Sequence, residues 1–249
     1  MKSFMDRREK PFLSVLIPAF NEADRIRKAI GSVRSATAAV GLNDFEIIVC
    51  DNNSTDETGV IAKKAGARVV FEPHNQIARA RNRAAEIAEG EWLIFLDADS
   101  RLSPQLLEAT LSMMCGGKVG AGGALLRFDR TDLPRHASFG LGIWNTTSRL
   151  MRWAAGSYVF CLRQAWIDTG GFSEEWYAGE EVAFSRLLKK WCRRRKLKFA
   201  IVTKVRLQTS SRKVEDHTVW ETVSLVARLA LPGALKKRSS LDYWYDRKG

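Results

Sequence analysis

The chain has 249 residues, of which 45% are hydrophobic and 27% charged, enough for a substantial buried core and ordinary for a folded globular protein. No apolar run approaches the roughly 20 residues that span a bilayer, and Met1 to Lys10 contains no signal-peptide core, so the expectation is a cytoplasmic protein, peripheral at most on the inner face of a membrane. The net charge of +12 is uneven: residues 186–249 hold 18 Lys or Arg against 5 Asp or Glu, residues 1–185 hold 22 against 23, and the last quarter therefore points to an anionic partner.

Leu13 to Ile17 reads as a first strand stopped by Pro18, with Asn21 capping a helix that runs to about Val40 and ends at Gly41. Glu46 to Cys50 is a second strand. The polar loop Asp51-Asn52-Asn53 follows, and Ser54-Thr55-Asp56-Glu57 has the spacing of a capping box opening a second helix. A third strand covers Ala67 to Phe71, and Asn75 is placed to cap a helix from Gln76 to Glu89. Glu91 to Leu96 is an apolar run of the kind buried inside a parallel sheet. Strands alternating with helices in this way define an α/β fold whose mostly parallel central sheet is covered by helices on both faces.

Beyond Asp99, Ser103-Pro104 starts a helix by cap and first-turn proline, stopped at Gly116-Gly117. Val119 to Phe128, Tyr158 to Leu162 and Phe199 to Leu207 read as later strands, and Val182 to Arg193 as a helix. The segment between Phe139 and Trp153 is apolar-rich without a clear period. The four cysteines form no CxxC pair, and Cys50 and Cys161 fall inside strand-like runs, so buried free thiols are expected. From residue 216 a separate tail is expected, in which Val219 to Leu231 forms an amphipathic helix. With Lys236-Lys237-Arg238 and Tyr243-Trp244-Tyr245 after it, that helix either packs on the domain or docks on an anionic membrane. The basic quarter carries no recognised nucleic-acid motif, which argues against an oligonucleotide partner.

The chemistry centres on Asp97-Ala98-Asp99, directly after the fourth strand. In open α/β sheets ligands sit beyond the carboxyl ends of strands. Alternate residues of an extended chain point the same way, so both carboxylates are expected at one site. Two such hard oxygen donors suit Mg²⁺ or Mn²⁺, ions that commonly bridge a protein to phosphates. Other residues keep plain alternatives: Asp51-Asn52-Asn53 is good turn chemistry, Arg81 fits an exposed helical face, and Glu180-Glu181 fits the positive end of a helix.

Four segments, taken in order and spacing, resemble family 2 glycosyltransferases. They are Ser14 to Glu22, Asp51 to Asp56, Ala80-Arg81-Asn82 with Asp97-Ala98-Asp99, and Gly170-Gly171-Phe172 with Glu180-Glu181. The resemblance spans about residues 13 to 193 and implies a GT-A fold, residues 1–215, binding a nucleotide-sugar donor. It implies that Pro18, Ala19 and Glu22 line the nucleoside pocket, that Asp51 contacts the base and that Asn53 belongs to the donor site. Arg81, Asp97 and Ala98 fall at the rest of the donor, Asp99 holds the metal with Asp97 assisting, and His217 is a candidate third ligand. Glu181 stands where the family carries its general base, as glutamate where aspartate is usual. Thr209 to Arg212 resembles a loop that closes over the diphosphate in some members. The implied reaction moves one sugar to an acceptor hydroxyl with inversion, on a glycan or lipid-linked acceptor. A catalytically silent nucleotide-sugar-binding protein or a nucleic-acid-binding protein is the alternative. The chain lacks the Gln-x-x-Arg-Trp motif of processive synthases.

Overall fold

The computed structural model describes residues 10–130, 132–133, 135–176 and 179–211. The expected tail from residue 216, its helix, its basic-aromatic end and His217 lie outside the described residues.

Among the described residues eight strands form one sheet in the order β3-β2-β1-β4-β7-β6-β8-β5. In chain order these are β1 (Leu13–Ala19), β2 (Phe45–Asp51), β3 (Arg68–Phe71), β4 (Trp92–Leu96), β5 (Ser100–Arg101), β6 (Val119–Phe128), β7 (Tyr158–Leu162) and β8 (Lys198–Thr209). The first four are parallel to one another, β7 runs against β4 and β6, and β8 returns parallel to β6. Among the described residues seven helices accompany them: α1 (Ala23–Ala39), α2 (Thr58–Lys64), α3 (Ile77–Glu86), α4 (Pro104–Cys115), α5 (Arg135–Met151), α6 (Arg163–Thr169) and α7 (Glu180–Arg194). The architecture is the expected α/β sandwich with a mostly parallel centre.

Alternation along the strands builds two apolar layers, one on each face. Val15, Ile17, Ile94 and Leu96 pack with Ile26, Ile30, Leu106 and Leu107 of α1 and α4. Leu16, Ile48, Leu93 and Phe95 pack on the other side with Ala78, Ala84, Phe184 and Leu188 of α3 and α7. Cys50 and Cys161 are buried free thiols in this second layer, as expected.

Several boundaries differ from the sequence reading, each for a local reason. The first strand runs through Pro18, opposite Cys50 of β2. Its pairing with β4 stops at Leu16 opposite Phe95, so Pro18 lies past that ladder, where a missing N–H is tolerated. Asn21 does not cap α1. It takes a left-handed φ of 51° and accepts from the Thr55 N–H, while the first turn of α1 is satisfied by Asp56 Oδ2 at Ala23 N and Thr58 Oγ1 at Glu22 N. Ser54 likewise opens no capping box but accepts from Asn21 N, and α2 starts four residues later. Ser103 caps α4 as expected, accepting from Leu106 N. The segment without a clear period is the helix α5, tied to β6 by Asn145, whose amide exchanges two bonds with the Leu126 backbone.

Candidate active site

Beside β1 the sheet order reverses, with β2 and β3 on one side and β4 on the other. The β1–β4 ladder ends at Leu16 while β1 and β2 stay paired to Ala19 and Asp51, and the strand ends at such a switch point are the usual ligand position. On the β2 side, Pro18 and Ala19 are buried at the end of β1, followed by buried Glu22, whose carboxylate is 3.5 Å from Arg25 Nη1. Asp51 ends β2 and accepts from Ser54 N at 3.0 Å, with Gly59 leaving room for its second oxygen. Asn53 is exposed in a left-handed φ of 63°. Between them Asn52 is buried and structural: Nδ2 donates to the Glu72 and His74 carbonyls and Oδ1 accepts from Gln76 N. Asp56 locks the β1 and β2 loops together. Burial opposes its ionisation, but bonds from Thr58 and Ala23 outweigh that and hold it below the usual carboxylate range.

On the other side the sheet ends in the carboxylate pair. Ala98 is buried, and Asp97 and Asp99 turn to different supports. Asp99 Oδ1 accepts from the Ser100 hydroxyl at 3.3 Å and the Thr209 hydroxyl at 3.4 Å, so the end of β8 braces it through the short β5–β8 pairing. Ser211 N donates to Asp129, and Arg212 lies outside the described residues. Asp97 Oδ1 instead accepts from Arg81 Nη2 at 3.1 Å. A paired carboxylate braced by hydroxyls fits Mg²⁺ or Mn²⁺, which take one or two protein carboxylates and complete their shells from substrate phosphates and water. Among the described residues no group of three His, Cys, Asp or Glu side chains forms a fuller metal set.

Arg81 lies beneath this edge, 2% exposed. Its guanidinium bridges Asp97, Glu180 (Nη1 to Oε1, 2.7 Å) and the Gly156 carbonyl (3.0 Å), and sits 5.1 Å above the Phe172 ring. Burial works against the cation, but Asp97, Glu180 and Glu181 outweigh it and raise its pKa above the ordinary value. Both terminal nitrogens are bonded to protein, so Arg81 ties the end of β4 to the start of α7 from below. Arg79 pairs instead with Glu72 and Glu174, and Arg83 with Glu86.

Glu180 and Glu181 form the first turn of α7, after Gly179 at a φ of 74°. Glu180 is buried against Arg81. Glu181 lies beside the same cluster: a Cβ at Gly156 would stand 3.0 Å from Arg81 Nη2 and 3.6 Å from the Glu181 carboxyl carbon. Its carboxyl is pushed up to about 8, first by burial and then by the Glu180 charge, against the pull of Arg81. A carboxylate so raised is a stronger proton acceptor.

The loop before α7 is held by amides that the sequence reading passed over. Asn82 donates to the Phe172 carbonyl (2.8 Å) and accepts from its N–H (2.9 Å), and Gln76 Nε2 donates to the Glu174 carbonyl (2.7 Å). Ala78, Arg81, Asn82 and Ala85 share the buried face of α3 at helical spacing, which marks Arg81 and Asn82 as inward while Arg79 and Arg83 fall opposite. Gly171 completes the clamp at a φ of 72°, and a Cβ there would meet Asn82 Oδ1 at 2.5 Å. Gly171→Ala should therefore destabilise the fold by about 1–3 kcal/mol in denaturant unfolding. A variant as stable as the parent would show that this turn is not constrained.

The fold is that of the GT-A glycosyltransferases, with the Asp97–Asp99 carboxylate pair at the strand ends. The family model for "Glycosyl transferase family 2" matches residues 14–168, and the chain belongs to that family. Curated relatives include glycosyltransferase AglE of Haloferax volcanii, 35% identical over 124 residues, 47% of this chain and 40% of that protein. Validoxylamine A glucosyltransferase of Streptomyces hygroscopicus subsp. jinggangensis is 34% identical over 112 residues, 43% of this chain and 26% of the relative. The chain thus spans less than half the length of these curated relatives. Among solved structures, S. aureus TarS 1-349 superposes with a TM-score of 0.62 at 18% identity, covering 92% of this chain and 68% of that one. Mannosyltransferase PcManGT of Pyrobaculum calidifontis, solved with GDP-Man and Mn²⁺, gives 0.63 at 19% identity, covering 81% and 57%.

Proposed function

We propose that this glycosyltransferase moves a single sugar from a nucleoside-diphosphate sugar to an acceptor hydroxyl by one inverting displacement. The observation that carries the proposal is the Asp97–Arg81–Glu180 bridge, which fixes the carboxylate pair at the end of β4 relative to Glu181 at the start of α7. The nucleoside end of the donor fits the crevice between Pro18, Ala19 and Glu22 and the Asp51–Asn53 loop. Asp99, with Asp97 assisting, would hold a divalent ion, a reading supported by the complex of PcManGT with GDP-Man and Mn²⁺. When bound, that ion neutralises charge developing on the leaving diphosphate.

Glu181 removes the acceptor proton as the hydroxyl oxygen bonds to the anomeric carbon and the bond to the diphosphate breaks. Attack opposite the leaving group gives inversion. Arg81 positions both carboxylate sets and does not itself touch the donor. The acceptor, a glycan or a lipid-linked glycan, enters on the α7 side, and the absence of the Gln-x-x-Arg-Trp motif favours transfer of one residue at a time.

The test is a panel of nucleotide sugars followed by thermal unfolding and by release of nucleoside diphosphate, with Mn²⁺, Mg²⁺ or chelator. At least one donor should raise the Tm in proportion to the logarithm of its concentration, and the metal should enlarge that rise. Asp99→Asn keeps the side-chain shape that Ser100 and Thr209 brace. It should leave the Tm of the free protein within a few degrees, remove the metal-dependent part of the shift and lower turnover about a hundredfold or more. Full turnover in excess chelator would remove the metal from the mechanism, and a panel without any stabilising donor would overturn the proposal.

A further inference from the structure

The basic charge of the last quarter is concentrated in the folded domain. Residues 186–211 hold ten Lys or Arg and no Asp or Glu, whereas residues 212–249 hold eight against five. A groove of about 640 Å³ is lined by seven cationic side chains, among them Arg152, Arg186, Lys189, Lys190, Arg193 and Lys196. Arg186, Lys190 and Arg193 fall at helical spacing on one exposed face of α7. The like charges are crowded: burial, then Arg152 and Arg186, lower the Lys189 pKa. Described carboxylates are absent from the groove lining.

An apolar row meets this groove. On α5, Phe139, Ile143 and Leu150 recur at i, i+4 and i+11, one face of the helix, and are 71%, 48% and 75% exposed. The row ends two residues before Arg152, Lys189 Nζ donates to the Met151 carbonyl, and Arg186 stacks 5.2 Å above Trp153. Large exposed apolar side chains aligned on one helix face, interrupted by Thr146, mark an interaction surface.

We infer that the α5 row and the α7 groove together seat the folded domain on an anionic lipid bilayer, the row entering the headgroup boundary and the groove binding lipid phosphates. Charge complementarity selects this occupant. A second copy of the chain carries +12, and residues 212–249 are themselves net basic, so both would be repelled by the groove. A nucleic acid would use the cations but leave Phe139, Ile143 and Leu150 in water. Basic residues beside interfacial apolar ones match what an anionic membrane surface binds. Arg186 lies on the same helix as the proposed base, five residues along α7 from Glu181, a rise of about 7.5 Å.

The experiment is co-sedimentation of the full-length protein with phosphatidylcholine vesicles, with and without phosphatidylglycerol, and it requires no transfer activity. The parent should partition onto the anionic vesicles and lose binding as salt rises. Combining Arg186→Gln, Lys190→Gln and Arg193→Gln should lower that partitioning by roughly a hundredfold. Combining Phe139→Ser, Ile143→Ser and Leu150→Ser should lower it by about tenfold or more, with circular dichroism and Tm unchanged. Lys236→Gln, Lys237→Gln and Arg238→Gln together should leave most of it. A parent that ignores anionic vesicles, or either domain variant partitioning like the parent, overturns the inference. So does a loss confined to the 236–238 set. If the serine set lowers the Tm without changing vesicle binding, the row is covered by the chain itself. Retained vesicle binding by the serine set, with salt-dependent oligonucleotide binding lost in the glutamine set, would make the groove a polyanion site.

Discussion

Replacing Glu181 by glutamine is expected to lower turnover by about a hundred- to ten-thousandfold while leaving donor binding intact. An acceptor hydroxyl is a poor nucleophile at neutral pH, and a carboxylate in reach removes its proton as the new bond forms, an effect of about 3–5 kcal/mol on the barrier. Glutamine keeps the size and loses the base. The elevated carboxyl gives two further signatures. In the free enzyme kcat/KM should rise with pH toward about 8, the value to which burial and then Glu180 push the Glu181 carboxyl. That rise should be lost in the glutamine variant.

Stability should move the other way. A carboxyl whose folded pKa is raised binds its proton more tightly folded than unfolded. It therefore destabilises the fold progressively as pH rises from the unfolded value, 4.5, toward about 8. Glutamine imitates the protonated form, so the variant should be more stable than the parent at pH 8, by on the order of 4 kcal/mol, and equal to it near pH 4. Steady-state kinetics at saturating donor and acceptor and paired thermal unfolding at the two pH values check both arms. Turnover within about threefold of the parent is less than about 1 kcal/mol of barrier and would take Glu181 out of the mechanism.

What the sequence revealed and what it hid follow from the range of the interactions involved. Apolar runs made β1, β2, β4, β6 and β7 legible, and Ser103-Pro104 made the start of α4 legible, because these signals lie within a few residues of what they encode. The apparent capping box at Ser54 failed because Asp56 and Thr58 reach across 33 and 36 residues to the first turn of α1. Asn52 and Asn82 looked like loop and motif residues. Their bonds to positions 22 and 90 residues away make them clamps, and composition carries no sign of that. The helix α5 was hidden because large apolar side chains, Phe139, Ile143 and Leu150, stand on its exposed face and blur the contrast with the buried one. The inward turn of Arg81 was readable in principle: it lies about 200° around α3 from Arg79 and from Arg83, on the side of the buried alanines.

Arg81 is where the largest loss of stability is expected. Its side chain is 2% exposed and carries the positive charge between Glu180, 6% exposed, and Asp97, 13% exposed. Taking one partner out of a buried ion cluster leaves the others desolvated and uncompensated, a cost of about 3–5 kcal/mol. Arg81→Leu should therefore lower the Tm by about 10 °C and abolish the registry between Asp97 and α7, so turnover should fall with it. Arg81→Lys should recover little, since a point charge cannot make the bridging fork that reaches Glu180, Asp97 and the Gly156 carbonyl together. The companion variant decides whether the loss comes from charge or from volume. Adding Glu180→Leu to Arg81→Leu removes the more deeply buried carboxylate and should restore part of the stability without restoring turnover. A double-mutant cycle on unfolding free energies measures that coupling, expected at about 1–3 kcal/mol. If Arg81→Leu stays within about 1 kcal/mol of the parent, or if the double variant is no more stable than the single, the bridge does not hold the two halves of the site together, and the placement of Glu181 would need another cause.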